Sequence, residues 1–523
     1  MNRKQFIEAV SNESTVWDIV IIGGGATGLG AALDAASRGY KTVLFEQSDF
    51  TKSTSSRSTK LVHGGVRYLA QGDVGLVVEA LRERGIMKDI APHLVKDQRF
   101  IIGNYKWWEK PFYTIGLTLY DLLAGKRGLG RSLPMSKKKV LKEIPRINDK
   151  DLKGGVLYHD GQFDDSRMAI NIMQTAAENN AVVLNYMGVT GLEKNEAGKI
   201  HAVTAFDGIG KKAYKVRTKA VINATGIFVD DLIRLDTPAA DKLVRPSQGV
   251  HLVVDKSFLG GDAAIMIPKT SDGRVLFGVP WHGKVVLGTT DTPLNEAVLE
   301  PKALEEEVSF ILTTAGEYLD RQPRREDVLS VFAGLRPLAA PPKNDQAKTK
   351  EISRRHKIIV SLGGMVTITG GKWTTYRVMA EEVVDKTVAV ANLPKKKCRT
   401  KQLRLHGYKE RINREHHHYV YGSDYEHILR LAGEREEWAQ GLHPDYGFIG
   451  AEVVWSVRHE MALTVEDVLA RRLRILFMDA RAAMTMAPAV ASLMAKEMDK
   501  NYDWIDEQVK EFNILAQNYL LTP

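Results

Sequence analysis

The chain has one cysteine in 523 residues, Cys398, so no intramolecular disulfide can form and a reducing compartment is expected. It has no run of about 18 apolar residues, the length a spanning helix needs. The opening MNRKQFIEAV has no apolar stretch long enough for a signal peptide. Zinc-finger spacings, an RNP signature and internal repeats are also missing, so no nucleic-acid partner is expected despite a net charge of +9. That charge suits an anionic substrate or an acidic membrane surface instead. The expected place is the cytoplasm, including a membrane face reached from it. What is present is ordinary for a globular protein, 44% hydrophobic and 26% charged residues. The length allows two or three domains around a large core.

The best-defined element is WDIVIIGGGATGLGAALDAASRGYKTVLFEQ. An apolar run, Trp17 to Ile22, reads as a buried strand. An Ala- and Leu-rich helix then runs to about Arg38, stops at Gly39, and a second strand ends at Glu46. This is a β-α-β unit with the G-x-G-x-x-G fingerprint in its required setting. Gly23 permits the tight turn, Gly25 lets backbone approach a pyrophosphate, and Gly28 lets helix and strand pack closely. The helix N-terminus faces the phosphates, and Glu46 can accept from a ribose hydroxyl, which argues against a 2′-phosphate. A dinucleotide site is the expectation.

Two later segments read as returns to the same sheet: KAVINATGIFVDDLIRL, and KIIVSLGGMVTITGGKWTTYRVMAEEVVDKTV. Between them GVHLVVD, GRVLFGVP and KVVLGTTD read as an antiparallel sheet carrying a substrate pocket. Beyond residue 391 a basic, proline-started linker leads to helix-patterned sequence such as TVEDVLARRLRILFMDA. In HDGQFDDSRMAINIMQTAAEN, Asp165 or Ser166 is placed to cap a helix. His416 to His418 look like a metal cluster, but consecutive side chains point in different directions, so a solvated histidine patch is expected and no metal. His459-Glu460 lacks the second histidine of H-E-x-x-H.

One stretch resists a purely structural reading. STKLVHGGVRYL, Ser58 to Leu69, sets two adjacent glycines among a histidine, an arginine and a tyrosine. Glycine pairs weaken helices and strands alike, so bare backbone must be needed close by.

The motifs GGGATGLGAALDAASRG, STSSRSTKLVHGGVRYL, INATG, FAGLRPL and GGKWTTYR, in this order, resemble those of the FAD-dependent glycerol-3-phosphate dehydrogenases over roughly residues 15 to 385. The resemblance implies an α/β fold. It comprises a Rossmann-type FAD-binding domain of the glutathione-reductase and D-amino-acid-oxidase kind, an antiparallel-sheet substrate domain and a C-terminal helical domain. The FAD-binding parts would be about 15–100, 155–245 and 345–390, the substrate parts about 101–154 and 246–344, and the helical domain 391–523. Besides the fingerprint residues, it implies that the loop with Thr54, Ser55, Ser58 and Lys60, the turn His63-Gly64-Gly65, and Ala224, Gly226, Gly371 and Thr374 lie along FAD. Arg67, Tyr68, Arg336, Arg354 and Lys372 would hold the substrate phosphate, which suits cations able to bind a dianion bidentately. Arg355 beside Arg354 is an alternative there. Arg67 on the surface, Lys372 as a cap of the sheet and His251 as an ordinary core histidine are the competing structural readings.

The implied reaction oxidises sn-glycerol 3-phosphate to dihydroxyacetone phosphate, with hydride passing from C2 to flavin N5. His251 would take the hydroxyl proton, Arg336 and Lys372 would act in the same pocket, and electrons would go on to a membrane quinone. An oxidase using oxygen is an alternative, although the insert usual in that branch is not apparent. A non-catalytic flavin-binding regulatory protein is another, which the retained Arg67, Arg336 and His251 oppose. The oligomeric state is left open, a homodimer included. Residues 106–139, KWWEKPFYTIGLTLYDLLAGKRGLGRSLPMSKKK, combine aromatics and leucines with a lysine and arginine rim. That balance fits an interfacial segment on the inner face of the cytoplasmic membrane, with a helix buried between domains as the alternative.

Overall fold

Ile19–Ile22 is apolar at every position, so it needs cover on both faces. All four side chains are buried, and the strand lies inside a six-stranded sheet. The order is Lys357–Val360, Val366–Thr369, Val221–Asn223, Ile19–Ile22, Thr42–Phe45 and Val182–Leu184. All neighbours are parallel except the first pair. This computed structural model describes every residue except 71, 271–272, 340–355 and 523.

The helix Ala26–Ser37 follows the first strand and packs against the helices Asp165–Glu178 and Tyr376–Val390. Two glycines let the start of the helix lie close against the strand ends. Gly23 has φ +108°, and a Cβ there would press on the backbone of Ala224. A Cβ on Gly28 would overlap the Gly23 carbonyl oxygen. A four-stranded sheet, Val16–Trp17, Lys212–Thr218, Ile200–Asp207 and Met187–Lys194, lies beside this unit.

The largest sheet is almost wholly antiparallel. Its two longest strands, Val244–Asp255 and Val328–Ala339, pair along their length, with Ser247 opposite Arg336 and His251 opposite Phe332. With a side-chain period of two, His251 and Arg336 therefore share one face. This sheet also takes in Lys96–Asn104 and Gly154–Gln162, which pair with each other. The run 155–162, grouped from sequence with the FAD-binding parts, thus hydrogen-bonds into the substrate sheet.

The C-terminal helices Gly450–Glu460, Ala480–Met498 and Tyr502–Ala516 share one hydrophobic core with the six-stranded sheet. TVEDVLARRLRILFMDA does not form a continuous helix. A π-helical turn, Asp467–Arg472, is followed by the short helix Ile475–Met478. Charge explains the break, because Arg471, Arg472 and Arg474 all turn inward. Arg471 and Arg472 bond Asp49, and Arg474 bonds Asp165 at 2.7 Å. Asp165 is also 2.7 Å from the Lys60 Nζ. It is therefore not the helix cap; Asp164 is, accepting from the Arg167 N–H at 2.9 Å.

Arg167 and Glu460, both fully buried, form a bidentate pair at 2.7 Å on each arm. Removing one partner strands the other without water. Glu460→Leu should therefore cost about 3–5 kcal/mol, read as a lower urea midpoint. Arg167→Met with Glu460→Leu should recover most of the loss; a double variant no better than the single would assign the effect to packing alone.

Candidate active site

Two cavities meet at one wall. The first, of about 690 Å³, is lined by Gly23, Gly25 and Ala26 at the start of the first helix, and by Glu46, Thr51 to Ser55, and Ala224 to Phe228. The second, of about 670 Å³, is lined by Ser58, Thr59, His63, Gly65, Tyr68, His251, Arg274, Arg336 and Thr374, among others. Thr54, Pro337 and Gly370 to Trp373 line both.

The first cavity has the donor set of a dinucleotide site. The helix of twelve residues opens on Gly25, whose missing side chain leaves only the Ser55 Oγ, 3.2 Å from an added Cβ. The Ala26 N–H donates to that Oγ at 3.0 Å. A helix N-terminus at a bare cavity wall is an anion site. Glu46 accepts from the Gly24 N–H at 2.6 Å and the Ser48 N–H at 2.9 Å. Burial nonetheless pushes its carboxyl above its ordinary value, against the pull of those two donors. These residues fit the ribose and pyrophosphate of FAD.

In the second cavity His251 stacks on Phe332 at 4.8 Å, and its Nε2 lies 2.9 Å from the Thr59 Oγ1. Gly288, opposite it in the sheet, leaves room for the ring, since a Cβ there would overlap the His251 Cδ2. Burial first, then the charges of Lys60 and Arg336, push His251 well below its ordinary 6.5, so the ring is neutral at pH 7. Arg336 is oriented by the carbonyls of Gln248 at 3.3 Å and Thr290 at 3.1 Å, and by the Thr289 hydroxyl at 3.1 Å. Gly249 leaves the space it occupies, for an added Cβ would overlap its guanidinium. The Lys372 Nζ sits 3.7 Å from the centre of the Tyr68 ring.

The model for the FAD-dependent oxidoreductase family matches residues 18–377. That for the C-terminal domain of alpha-glycerophosphate oxidase matches residues 366–507. The chain is 40% identical over 519 residues to the mitochondrial glycerol-3-phosphate dehydrogenase of Mesocricetus auratus, covering 92% of this chain and 71% of that protein. The Homo sapiens counterpart is 38% identical over 96% of this chain and 73% of its own. The chain belongs to the FAD-dependent glycerol-3-phosphate dehydrogenases. A crystal structure of the Bacillus halodurans glycerol-3-phosphate dehydrogenase complexed with FAD superposes with a TM-score of 0.80 at 30% identity, covering 99% of this chain and 97% of that one. FAD is the cofactor of this family and of this chain.

Within that family frame, the sequence-derived residues divide. Gly23, Gly25, Glu46, Thr54, Ser55, Ala224, Gly226 and Gly371 line the first cavity; Ser58, His63, Gly65 and Thr374 line the second, on the far side of the shared wall. Gly28 packs helix on strand, the role its place in the fingerprint gives it, and two residues grouped with FAD make other contacts. Gly64 makes room for Leu81 and Tyr120 rather than for a ring system, and its N–H donates to the Tyr120 hydroxyl at 2.8 Å. Lys60 lies wholly inside the protein, bonded to Asp165 and the Ser56 carbonyl and surrounded by Trp281, Phe332 and Phe477. It supports the loop from behind. Tyr68, His251, Arg336 and Lys372 all reach the second cavity. Arg67 belongs to the short helix Val66–Ala70, but its side chain lies outside the described residues, as does the whole of Arg354.

Sequence reasoning missed Thr59, which fixes the His251 ring, and Arg274, which lines the second cavity with its guanidinium 4.3 Å from the centre of the Phe310 ring. No motif surrounds Arg274.

The different neighbours of Gly25 and Gly28 make a sharp pair of variants. Gly25→Ala should fold, with an unchanged far-ultraviolet spectrum, yet retain less FAD. Gly28→Ala should fail earlier, giving little soluble protein. Equal FAD content in wild type and Gly25→Ala would remove the pyrophosphate from this wall.

Proposed function

We propose that the protein oxidises sn-glycerol 3-phosphate to dihydroxyacetone phosphate and passes the electrons to a quinone in the membrane. The observation that carries this reading is the meeting of a dinucleotide cavity and a cation-lined cavity at Gly370 to Trp373, with a neutral histidine in the second. The names of its relatives supply the substrate. Bound FAD provides the two-electron acceptor for the C2 hydrogen. Arg336 and Lys372 bind the phosphate, and Arg336 is pre-oriented by the carbonyls it already holds. His251, kept in register by Thr59, takes the C2 hydroxyl proton, the role of a general base.

This assignment makes two demands. Arg336→Ala should lower kcat/KM for glycerol 3-phosphate by roughly 10- to 150-fold, the range of a charge-assisted bond. Turnover of plain glycerol should hardly change; an equal loss on both would place Arg336 in the scaffold. His251→Gln should cost about 10²–10⁴-fold. A base whose value is depressed stays in its proton-accepting form as pH falls. Wild-type kcat at saturating substrate, which is free of the titration of unbound substrate phosphate at about pH 6, should therefore remain level between about pH 8 and 6 and decline only as pH passes the lowered His251 value. A half-loss near pH 6.5 would point to an unperturbed group instead.

The quinone half of the proposal rests on one surface. Among the described residues no helix is long and apolar enough to cross a membrane. The helix Glu109–Ala124 buries Leu117 and Tyr120 but turns Phe112, Ile115, Leu119 and Leu122 outward, at 60, 71, 47 and 72% exposure. Trp107, 80% exposed, precedes it, and Lys106 and Lys126 flank it. An apolar face with basic ends suits the inner face of the cytoplasmic membrane, where each cation near anionic headgroups adds about 1 kcal/mol. The family name of the C-terminal domain keeps an oxidase as the second reading. Anaerobic bleaching by glycerol 3-phosphate, followed by reoxidation with a quinone or with oxygen, separates the two. Replacing Trp107, Trp108 and Phe112 by Ser should release the protein from anionic liposomes, leave turnover with a soluble dye intact and lower quinone reduction. Unchanged co-sedimentation would move the membrane face elsewhere.

A further inference from the structure

Outside both cavities, the C-terminal region gathers the donors of a transition-metal site. The 3₁₀ segment His417–Asp424 carries two neighbouring imidazoles inward, with ring centres 4.0 Å apart. Only His416 remains exposed, so the reading of a solvated histidine patch fails for the other two. The third group is Glu452, in the first turn of the helix Gly450–Glu460 and fully buried. Its Oε2 accepts from the Ile449 N–H at 2.9 Å, and its Oε1 lies 2.8 Å from the His417 Nε2. His418 stacks on Tyr425 at 4.3 Å. Its Nε2 is buried without a hydrogen-bond partner among the described residues. One ligand atom from each of the three lies within 4.8 Å of the other two.

The His417–Glu452 contact accounts for two of these groups, and a backbone hydrogen bond with Gly447 for part of the third, which leaves the His418 Nε2 over. A buried ring nitrogen with no partner costs free energy. We propose that His417, His418 and Glu452 bind one divalent transition-metal ion of the zinc class, with a fourth position open to water. Two imidazoles and one carboxylate are a zinc-type set, whereas magnesium and calcium take oxygen ligands. The ion replaces the direct His417–Glu452 hydrogen bond, with the His417 Nε2 and the Glu452 carboxylate both turned to the metal and the neutral ring carrying its one proton on Nδ1. Bound there, it fastens the 3₁₀ segment to the helix that follows the hairpin Gly441–His443 and Tyr446–Ile449.

The test uses the full FAD-loaded chain, free of tag histidines and stripped with a chelator. Titrated Co²⁺ should give tetrahedral ligand-field bands to the red of the flavin, saturating at one ion per chain. Zn²⁺ should displace it and raise Tm, Mg²⁺ should do neither, and affinity should fall as pH falls. His418→Gln, with FAD content unchanged, should weaken binding by more than about tenfold. Should that variant lose FAD, His417→Gln serves in its place. Absence of stoichiometric Co²⁺ binding overturns the proposal. So does binding at wild-type affinity in both variants, which would mark an adventitious ion on other histidines.

Discussion

Asp165 and the two cations that close on it, Lys60 and Arg474, hold the segment on which both cavities depend. Residues Thr51 to Ser55 line the cofactor cavity, and Thr54, Arg57, Ser58 and Thr59 line the substrate cavity. Behind them Asp165 also accepts from the Ser58 N–H and hydroxyl, at 3.1 and 2.7 Å, and Arg474 reaches the Ser56 carbonyl at 3.1 Å. The segment is thus pinned by charges drawn from a helix one hundred residues on and from the C-terminal region. Burying so many charges is expensive, and a hydrophobic substitute would pack as well. What the ionic version supplies is direction, because each bond fixes a particular backbone atom of the loop. The buried ammonium of Lys60, whose surroundings bring its value down to about 8, shows how much desolvation that arrangement tolerates.

The same charges act across the wall. Burial first, then the charges of Lys60 behind the loop and Arg336 in the cavity, lower the His251 value and keep its ring neutral. One arginine thus both lines the cavity and bears on the buried imidazole, which Thr59 holds from a third side.

The β-α-β unit was legible because everything that defines it is local: strand, glycines, helix stop and acid lie within thirty residues, and each packs against the next. The stop at Gly39, with φ +81°, and the helix Ala26–Ser37 follow the pattern closely. His251 and Arg336 were legible only through family resemblance, since neither strand alone indicates what faces it. The rest was hidden by distance along the chain. Nothing near Lys60 indicates that Asp165 will neutralise it, so a lysine in a polar loop read as a cofactor ligand. The stretch holding Arg471, Arg472 and Arg474 read simply as helix-patterned because the partners of these arginines lie some three to four hundred residues earlier. His417 and His418 diverge in a regular helix or strand, yet the 3₁₀ segment brings them together. A capping carboxylate misplaced by one residue, Asp165 for Asp164, has the same origin: the better local candidate was committed elsewhere.

The joint core and the inward arginines have a consequence for how the molecule is made. Ribosomal synthesis delivers the glycine-rich turn first and Arg474 more than four hundred residues later. Until that arginine emerges, Asp165 has only Lys60 as a cationic partner, Asp49 has no arginine at all, and part of the apolar cover of the six-stranded sheet is still in the exit tunnel. The wall of the cofactor cavity is complete by Met379, yet the arginines that hold its loop from behind come from the last quarter of the chain, so the loop gains its full set of charge partners only when synthesis is nearly finished.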